Sequence, residues 1–317
     1  MSGSVKKLIP RPLRRKLARL RDALRAPPAA PAPRLKSFHH ADEASLSTDE
    51  LLAFARHDAH RIEKAFYNRI FEPKRSYFEQ RRANVLRTAE LLRERKFDMS
   101  EPTLKWAEHI ALTFDELEEK FIRPHCTEPQ PVQPDLADSI IALAARRRSS
   151  RVWASEQPSA ESLEAFAYKM IDAARWAPNS GDRQPWRFKI ISRPEDKLLL
   201  KGLKEEHCYA APCLIFVGTD RRVYGALGQQ EAGLYIDAGA ATMLMVLAAH
   251  ASHYGVCWNH FSRDLIESRP RNREIYDGFV REMDIPDFIE PVAIVAFGVA
   301  AFHPPVPPRM KVESLLL

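Results

Sequence analysis

The stretch from Ala177 to Phe188 joins a helical pattern to a strand pattern through a short polar turn. That junction confines the chain to folds that mix helices with sheet. Pro178 and Gly181 break the helix and let the backbone turn. Asn179, Ser180, Asp182 and Gln184 supply short polar side chains, while Pro185 and Trp186 stiffen and anchor the exit. A loop of this composition suits the holding of a flat polar ligand. The neighbouring patterns agree with a mixed fold. Leu136–Ala145 and Ser162–Ala177 read as helices, and Arg187–Ser192, the apolar run Cys213–Thr219 and Pro291–Val299 read as strands. Val256–Asn259 reads as a short extended piece. Glu231–Tyr254 is a long helix rich in small residues. Its most apolar part, Ala238–Ala249, is shorter than the roughly 20 residues that span a bilayer, so a buried core helix is expected.

The first 135 residues have a different character. Residues 1–40 carry eleven Lys and Arg against Asp22 alone, which exceeds the net +6 of the whole chain, so the remainder is net acidic. Within Pro10–Arg25, Leu13, Leu17, Leu20 and Leu24 share one helical face. This segment is either a solvated basic tail or an amphipathic helix that lies on an anionic membrane surface or a partner through residues 1–36. Stacking aromatics are not interleaved with the charge, so nucleic-acid binding is not expected. Ala26–Pro33 is a stiff Pro/Ala linker.

From Ser47, with acidic residues following it, helical periodicity sets in. Leu51, Phe54, Ile62, Phe66 and Ile70 mark a first helix, and Tyr77–Arg95 a second, with Val85, Leu86, Ala89 and Leu92 buried. Thr103–Phe121 is a third, with Trp106, Ile110, Phe114 and Leu117. His57, His60 and Glu63 can share a face of the first helix, but a metal site needs a fourth group, so an ordinary exposed face is expected. Pro124–Pro134 is a proline-rich linker. The organisation expected is a tail at 1–40, a helical extension with linker at 41–135, and an α+β domain at 136–317. Cys126, Cys208, Cys213 and Cys257 form neither a CxxC pair nor a finger spacing, and the N-terminus lacks the apolar core of a signal peptide. Both features point to a reduced, cytoplasmic setting, with the tail able to touch a membrane surface.

Arg146–Arg151 places four arginines and two serines in six positions. A solvated charge run would look the same, but guanidinium groups are also the preferred bidentate ligands of phosphate. The cluster gains meaning from the loop at 177–188 about thirty residues later. Arg147-Arg148-Ser149-Ser150-Arg151 followed by Ala177-Pro178-Asn179-Ser180-Gly181-Asp182-Arg183-Gln184-Pro185-Trp186 resembles the nitroreductase family of FMN-dependent oxidoreductases. The alanine-rich helix from Asp237, the segment Tyr254–Trp258, the strand Ala293–Gly298 and Pro307-Pro308-Arg309 are similar in order and spacing. The resemblance covers residues 137–317.

The resemblance implies an α+β fold, with a central mixed sheet flanked by helices, to which the N-terminal all-helical extension is an addition. It implies a homodimer with FMN at the interface. Arg147, Arg148, Ser149, Arg151 and Arg309 would contact the phosphate, ribityl chain and pyrimidine edge. Asn179, Ser180, Asp182 and Gln184 would lie beside the ring, with Lys204 and His207 as further polar contacts. Trp258, Asn259 and His260 would pass the reactive edge of the flavin. No residue is marked as a certain catalyst, since hydride passes through the flavin, although His260 is placed to donate a proton. Two positions depart from the family pattern. Asp182 stands where Asn is usual, and His260 where a small residue is usual. The implied reaction is ping-pong transfer from NAD(P)H through FMN to a nitroaromatic, quinone-like or dedicated acceptor. A flavin-dependent dehydrogenase or dehalogenase, and a catalytically degenerate scaffold, are the alternatives. No glycine-rich dinucleotide fingerprint competes with this reading.

Overall fold

The computed structural model describes residues 43–68, 70–125, 131, 133–224 and 231–317. The basic tail, the Pro/Ala linker and Cys126 lie outside the described residues.

The helical extension opens on α1 (Thr48–Tyr67). Ser47 caps it with a full capping box: its hydroxyl accepts from the Glu50 amide at 3.3 Å, and Glu50 returns the bond to the Ser47 amide at 2.9 Å. Helix α2 (Arg75–Glu94) and helix α3 (Pro102–Leu112) pack against α1 over Ala55, Ile62, Phe78, Val85, Ala107, Ile110 and Phe114. The third helix ends nine residues earlier than its periodicity suggests. The Thr113 hydroxyl bonds back to the His109 carbonyl at 2.7 Å, and the chain continues as a tight turn, Phe114–Glu116, and a wide turn, Glu118–Ile122. Such back-bonding by Thr competes with the helical ladder.

The second part of the chain is a four-stranded sheet of β1 (Trp186–Ile191), β2 (Cys213–Asp220), β3 (Gly255–His260) and β4 (Ile289–Gly298). The spatial order is β1-β2-β4-β3, and every strand pair is antiparallel. The sheet is therefore antiparallel and not mixed, and among the described residues parallel pairing is limited to two isolated bridges, Ser149 with Val256 at the β3 edge and Lys201 with Lys204. Helices cover both faces. On one, α5 (Ala160–Ala174) and α6 (Glu231–Ala251) bury Leu163, Met170, Ala241 and Met245 against Ile215, Val217, Val295 and Phe297. On the other, α7 (Pro270–Glu282) brings Phe279 against Leu214, Phe216, Ile294 and Ala296. Burial on both sides explains why β2 and β4 read as nearly continuous apolar runs.

Helix α6 stops at Ala251, three residues before its apolar pattern ends. His253 takes a left-handed φ of 63°, and the Tyr254 amide bonds back to Ala249 O at 3.0 Å. By length and apolarity alone Ala232–Ala251 is sufficient to cross a membrane, but Ala238, Ala241, Met245 and Ala249 belong to the sheet core. Helix α4 (Pro134–Arg146) differs from all of these. It has an apolar stripe but no buried residue, and Leu136, Ile140 and Ile141 are 58–65% exposed.

The extension is tied to the sheet along α1. Ala53 packs with Val223, Tyr224 and Leu234, and the Arg222 guanidinium lies between Asp220, Asp49 and Glu50.

Candidate functional site

The segment after α4 leaves the helix at Arg147 and is held by the Ser150 amide donating to Val256 O at 2.9 Å. This brings Arg147, Arg148, Ser149 and Arg151 to a cavity of about 290 Å³, closed on its far side by Pro304, Pro305, Pro307 and Arg309 of the C-terminal segment. Among the described residues no carboxylate pairs with any of the four arginines. Burial, followed by the like charges of Arg309 and Arg148, pulls the Arg147 guanidinium below the ordinary arginine pKa. The Arg148 Nε is buried without a hydrogen-bond partner. Like charges gathered around a cavity and an orphaned donor are what a missing dianion would satisfy.

A second cavity, of about 560 Å³, shares Arg147 and Ser149 with the first. Its walls are Tyr235, Gly239, Met243 and Val246 of α6, Trp258 and His260 of β3, and Val292 of β4. Strand alternation decides which β3 residues reach it. Trp258 and His260 point to the α6 side. Asn259 points to the other side, buried, where its Nδ2 donates to Cys257 O at 3.1 Å and Ile294 O at 3.3 Å. The Asn259 side chain therefore supports the strand and does not line this cavity. The same holds for Lys204 and His207. Lys204 Nζ donates to the His260 carbonyl at 2.7 Å, and the His207 ring bonds Asn259 Oδ1 at 2.8 Å. Both brace β3 from behind.

The loop 179–184 lines neither cavity. It is wound back on itself, with left-handed φ at Gly181, Asp182 and Gln184 of 64°, 52° and 51°. Asn179 Oδ1 accepts from the Gln184 amide at 2.9 Å, and Gln184 Nε2 donates to Asp182 Oδ1 at 3.3 Å. Ser180 offers its amide to Asp237 Oδ2 at 3.0 Å, and Arg183 Nη1 folds onto Ser180 O at 2.7 Å. Helix α1 of the extension lies across the loop. Arg56 Nη2 donates to Arg183 O at 2.9 Å, and His57 Nδ1 bonds Gly181 O at 3.1 Å, which makes Nδ1 the protonated nitrogen. A Cβ on Gly181 would stand 2.4 Å from that nitrogen. His57 is thus part of the loop's support and not of an exposed face.

Burial, and then the charge of Arg183, lower the His57 pKa from 6.5 to about 3. The unfolded chain takes up a proton near 6.5 and the folded one does not, so this contribution to stability falls as pH drops from 6.5 towards 3. Denaturant titrations over that range should show a shallower loss for His57→Gln than for the parent protein. An unchanged slope would contradict the assignment.

The profile of the nitroreductase family matches residues 144–206 and 198–299, the segment that contains both cavities, the wound loop and the sheet. The chain belongs to the nitroreductase family. Two archaeal relatives, each named "Putative NADH dehydrogenase/NAD(P)H nitroreductase", support the assignment. One, from Methanothermobacter thermautotrophicus, is 26% identical over 164 residues, which is 50% of this chain and 75% of the relative. The other, from Archaeoglobus fulgidus, is 31% identical over 118 residues, 35% of this chain and 62% of the relative. Among solved structures, a nitroreductase with bound FMN from Desulfitobacterium hafniense is 21% identical and covers 56% of this chain and 96% of its own, at a TM-score of 0.42. A nitroreductase-family protein from Clostridium difficile is 27% identical over the same shares, at 0.43. Family membership makes this chain an oxidoreductase in class. The matched segment begins at residue 144, after helices α1 to α3.

Several residues that line these cavities were not singled out in the sequence. Tyr235, Gly239, Met243, Val246 and Val292 form most of the larger cavity's wall. Gly239, inside an otherwise alanine-rich helix, was the available signal, because an interior glycine marks a close approach. Its open side faces Trp258, 3.9 Å from where a Cβ would stand. Arg56 gave no signal, since an arginine in a charged helix reads as solvated.

Proposed function

We propose that the chain is an FMN-dependent oxidoreductase that works as a homodimer and transfers hydride from NAD(P)H to a small-molecule acceptor in a ping-pong cycle. The set of arginines at 147, 148, 151 and 309, without carboxylate partners among the described residues, carries this reading. A dianionic phosphate fits the smaller cavity, and a flat ring system fits the larger, mostly apolar one that adjoins it. FMN when bound supplies the two-electron chemistry. The chain's own residues bind, orient and exclude water. Arg147, Arg148 and Arg309 hold the phosphate, and Ser149 sits on the wall common to both cavities. Arg151, at the smaller cavity, would add positive charge that favours electron uptake by the bound group. Trp258, Met243 and Val246 keep water from one wall, and His260, exposed on the cavity side, is placed to give a proton to the acceptor.

The dimer is supported by two features. Helix α4 leaves Leu136, Ile140 and Ile141 uncovered, and Tyr168 and Trp176 near the loop are 67% and 74% exposed. The loop 179–184 completes neither cavity of its own chain, so a second copy is the source from which a ring contact by Asn179, Ser180, Asp182 or Gln184 would come. Light scattering on the purified protein should give twice the chain mass, and Ile140→Asp with Ile141→Asp should shift it to the monomer with loss of FMN. A monomeric parent that holds FMN would refute the dimer.

His260 favours a second reading, an enzyme for one dedicated substrate, because its side chain narrows the cavity that an acceptor would enter. Anaerobic titration of the FMN-loaded protein with NADH and NADPH separates the two. Bleaching of the flavin by either supports the ping-pong cycle, and no bleaching by both supports the dedicated enzyme.

A further inference from the structure

We propose that the helical extension carries a binding site of its own, a pocket between α1 and α2 that takes a small organic anion with an aromatic or alkyl body. None of its residues lines either of the two cavities described above, so the site does not rest on the FMN reading.

The pocket has a volume of about 550 Å³, within the range of small-molecule sites. It is built from the end of α1 and the first turn of α2. Arg61, Lys64 and Asn68 follow one another at helical spacing and so share one face of α1. Ala65 and Phe78 are buried, at 1% and 3% exposure, and give the pocket an apolar base. Beside them Ile70 is left 42% exposed. An apolar side chain this open on the wall of a pocket is surface that a ligand can cover.

Three cations, Arg61, Lys64 and Lys74, stand around that base, and no carboxylate of the described residues lines the pocket. Among the described residues none of the three forms an ion pair, although their neighbours do. Arg81 pairs with Asp58, and Arg75 with Glu72, Glu79 and Asp115. Lys64 lies in the last turn of α1, where a helix favours a cation, but that accounts for one charge of the three. On the opposite wall the first turn of α2 holds no acidic residue and has no side-chain cap.

Tyr77 adds a directed donor. Its hydroxyl oxygen accepts from Arg61 Nη2 at 3.4 Å and from Arg81 Nη2, and the Arg81 guanidinium lies 4.4 Å from the centre of its ring. Two donors occupy the oxygen's lone pairs, and among the described residues its own hydrogen has no acceptor. Burial raises the Tyr77 pKa, but the bonds and charges of Arg61 and Arg81 more than offset it, so the hydroxyl is a stronger donor than an ordinary phenol. The combination selects the ligand class. A carboxylate or sulfonate meets the Tyr77 hydroxyl and the cations, and a ring or short alkyl chain covers Ile70 and Phe78. A bare inorganic anion would leave the apolar base open.

Calorimetric titration of the full chain with anilinonaphthalene sulfonate tests this, with FMN in excess so that the other two cavities are filled. The probe should bind at a single class of site, and phenylnaphthylamine, the same body without the sulfonate, should bind at least about tenfold more weakly. Lys64→Gln with Lys74→Gln removes two exposed charges, so the fold is kept, and should weaken the sulfonate about tenfold while leaving phenylnaphthylamine unaffected. Tyr77→Phe should weaken the sulfonate about threefold. Arg147→Ala, outside this pocket, should not change it. No binding of the sulfonate, equal binding of the two probes, or unchanged affinity in both the lysine variant and Tyr77→Phe would each overturn the site, as would binding that is lost with Arg147→Ala. A protein that takes up no FMN would refute the flavin reading alone, and the same titration on the FMN-free protein would still decide this one.

Discussion

Arg147→Ala is expected to weaken FMN binding by roughly 30- to 150-fold, about 2–3 kcal/mol, while leaving the flavin-free protein at least as stable as the parent. The two halves of that result have one cause. Arg147 lines both cavities, so it is the cation best placed to meet a phosphate head at the entrance to the ring pocket. In the absence of an anion it is partly buried and faces Arg309 and Arg148, and its pKa is depressed by that burial first and by their like charges next. Removing it relieves that repulsion. A residue that binds a ligand at some expense to the empty protein is a mark of a functional site, and a merely structural arginine would lower stability when lost. Arg309→Ala should act in the same direction with a smaller effect, since it is exposed and, among the described residues, hydrogen-bonds only to the carbonyls of Pro307 and Pro308. Isothermal titration with FMN and denaturant unfolding of the empty protein measure the two quantities. Unchanged affinity in both variants would remove the phosphate assignment.

Asp237→Ala is expected to cost about 3–5 kcal/mol of stability, the range for removing one partner of a buried charged network. Asp237 is 4% exposed and accepts from the Ser180 amide at 3.0 Å and from the Tyr224 hydroxyl. It is also one of the negative charges that face Arg183, itself 7% exposed. Truncation would strand an amide, a phenol and part of a buried guanidinium's compensation at once. The loop 179–184 would loosen with it, so FMN binding should fall as well. Asp237→Asn keeps an acceptor oxygen and should lose about half as much. A measured loss below about 1 kcal/mol for Asp237→Ala would show that the network is solvated and not buried.

The sheet was legible because its two central strands, β2 and β4, are buried on both faces. Cys213–Asp220 and Ile289–Gly298 are buried at every position and mostly apolar, Thr219, Asp220 and Glu290 apart. Element ends were less legible, since they depend on single interactions such as the Thr113 back-bond or the left-handed His253. The arginine cluster was readable as an anion site because its spacing is local: Arg147, Arg148, Ser149 and Arg151 need only a turn to converge. Arg309 could be joined to them only through the family resemblance, because no local pattern spans that distance. Strand alternation was available for β3, but the resemblance was carried over residue by residue, so Asn259 was grouped with its neighbours although its side chain faces the opposite way. The loop at 177–188 was found easily and located poorly. Its polar side chains signalled a binding role, yet most of their hydrogen-bonding capacity is spent within the loop and on Asp237. Its relation to Arg56 and His57 depends on how two separate helical and sheet cores meet, which no local periodicity records.

The central claim is that the four arginines and the adjoining cavity form an FMN site. The most direct test is a titration of the purified, flavin-free protein with FMN, followed by flavin fluorescence and absorbance. The account predicts saturable binding at one FMN per chain, with an altered flavin spectrum and affinity reduced by Arg147→Ala. A protein that stays colourless with added FMN, or binds it equally well without Arg147, would contradict it.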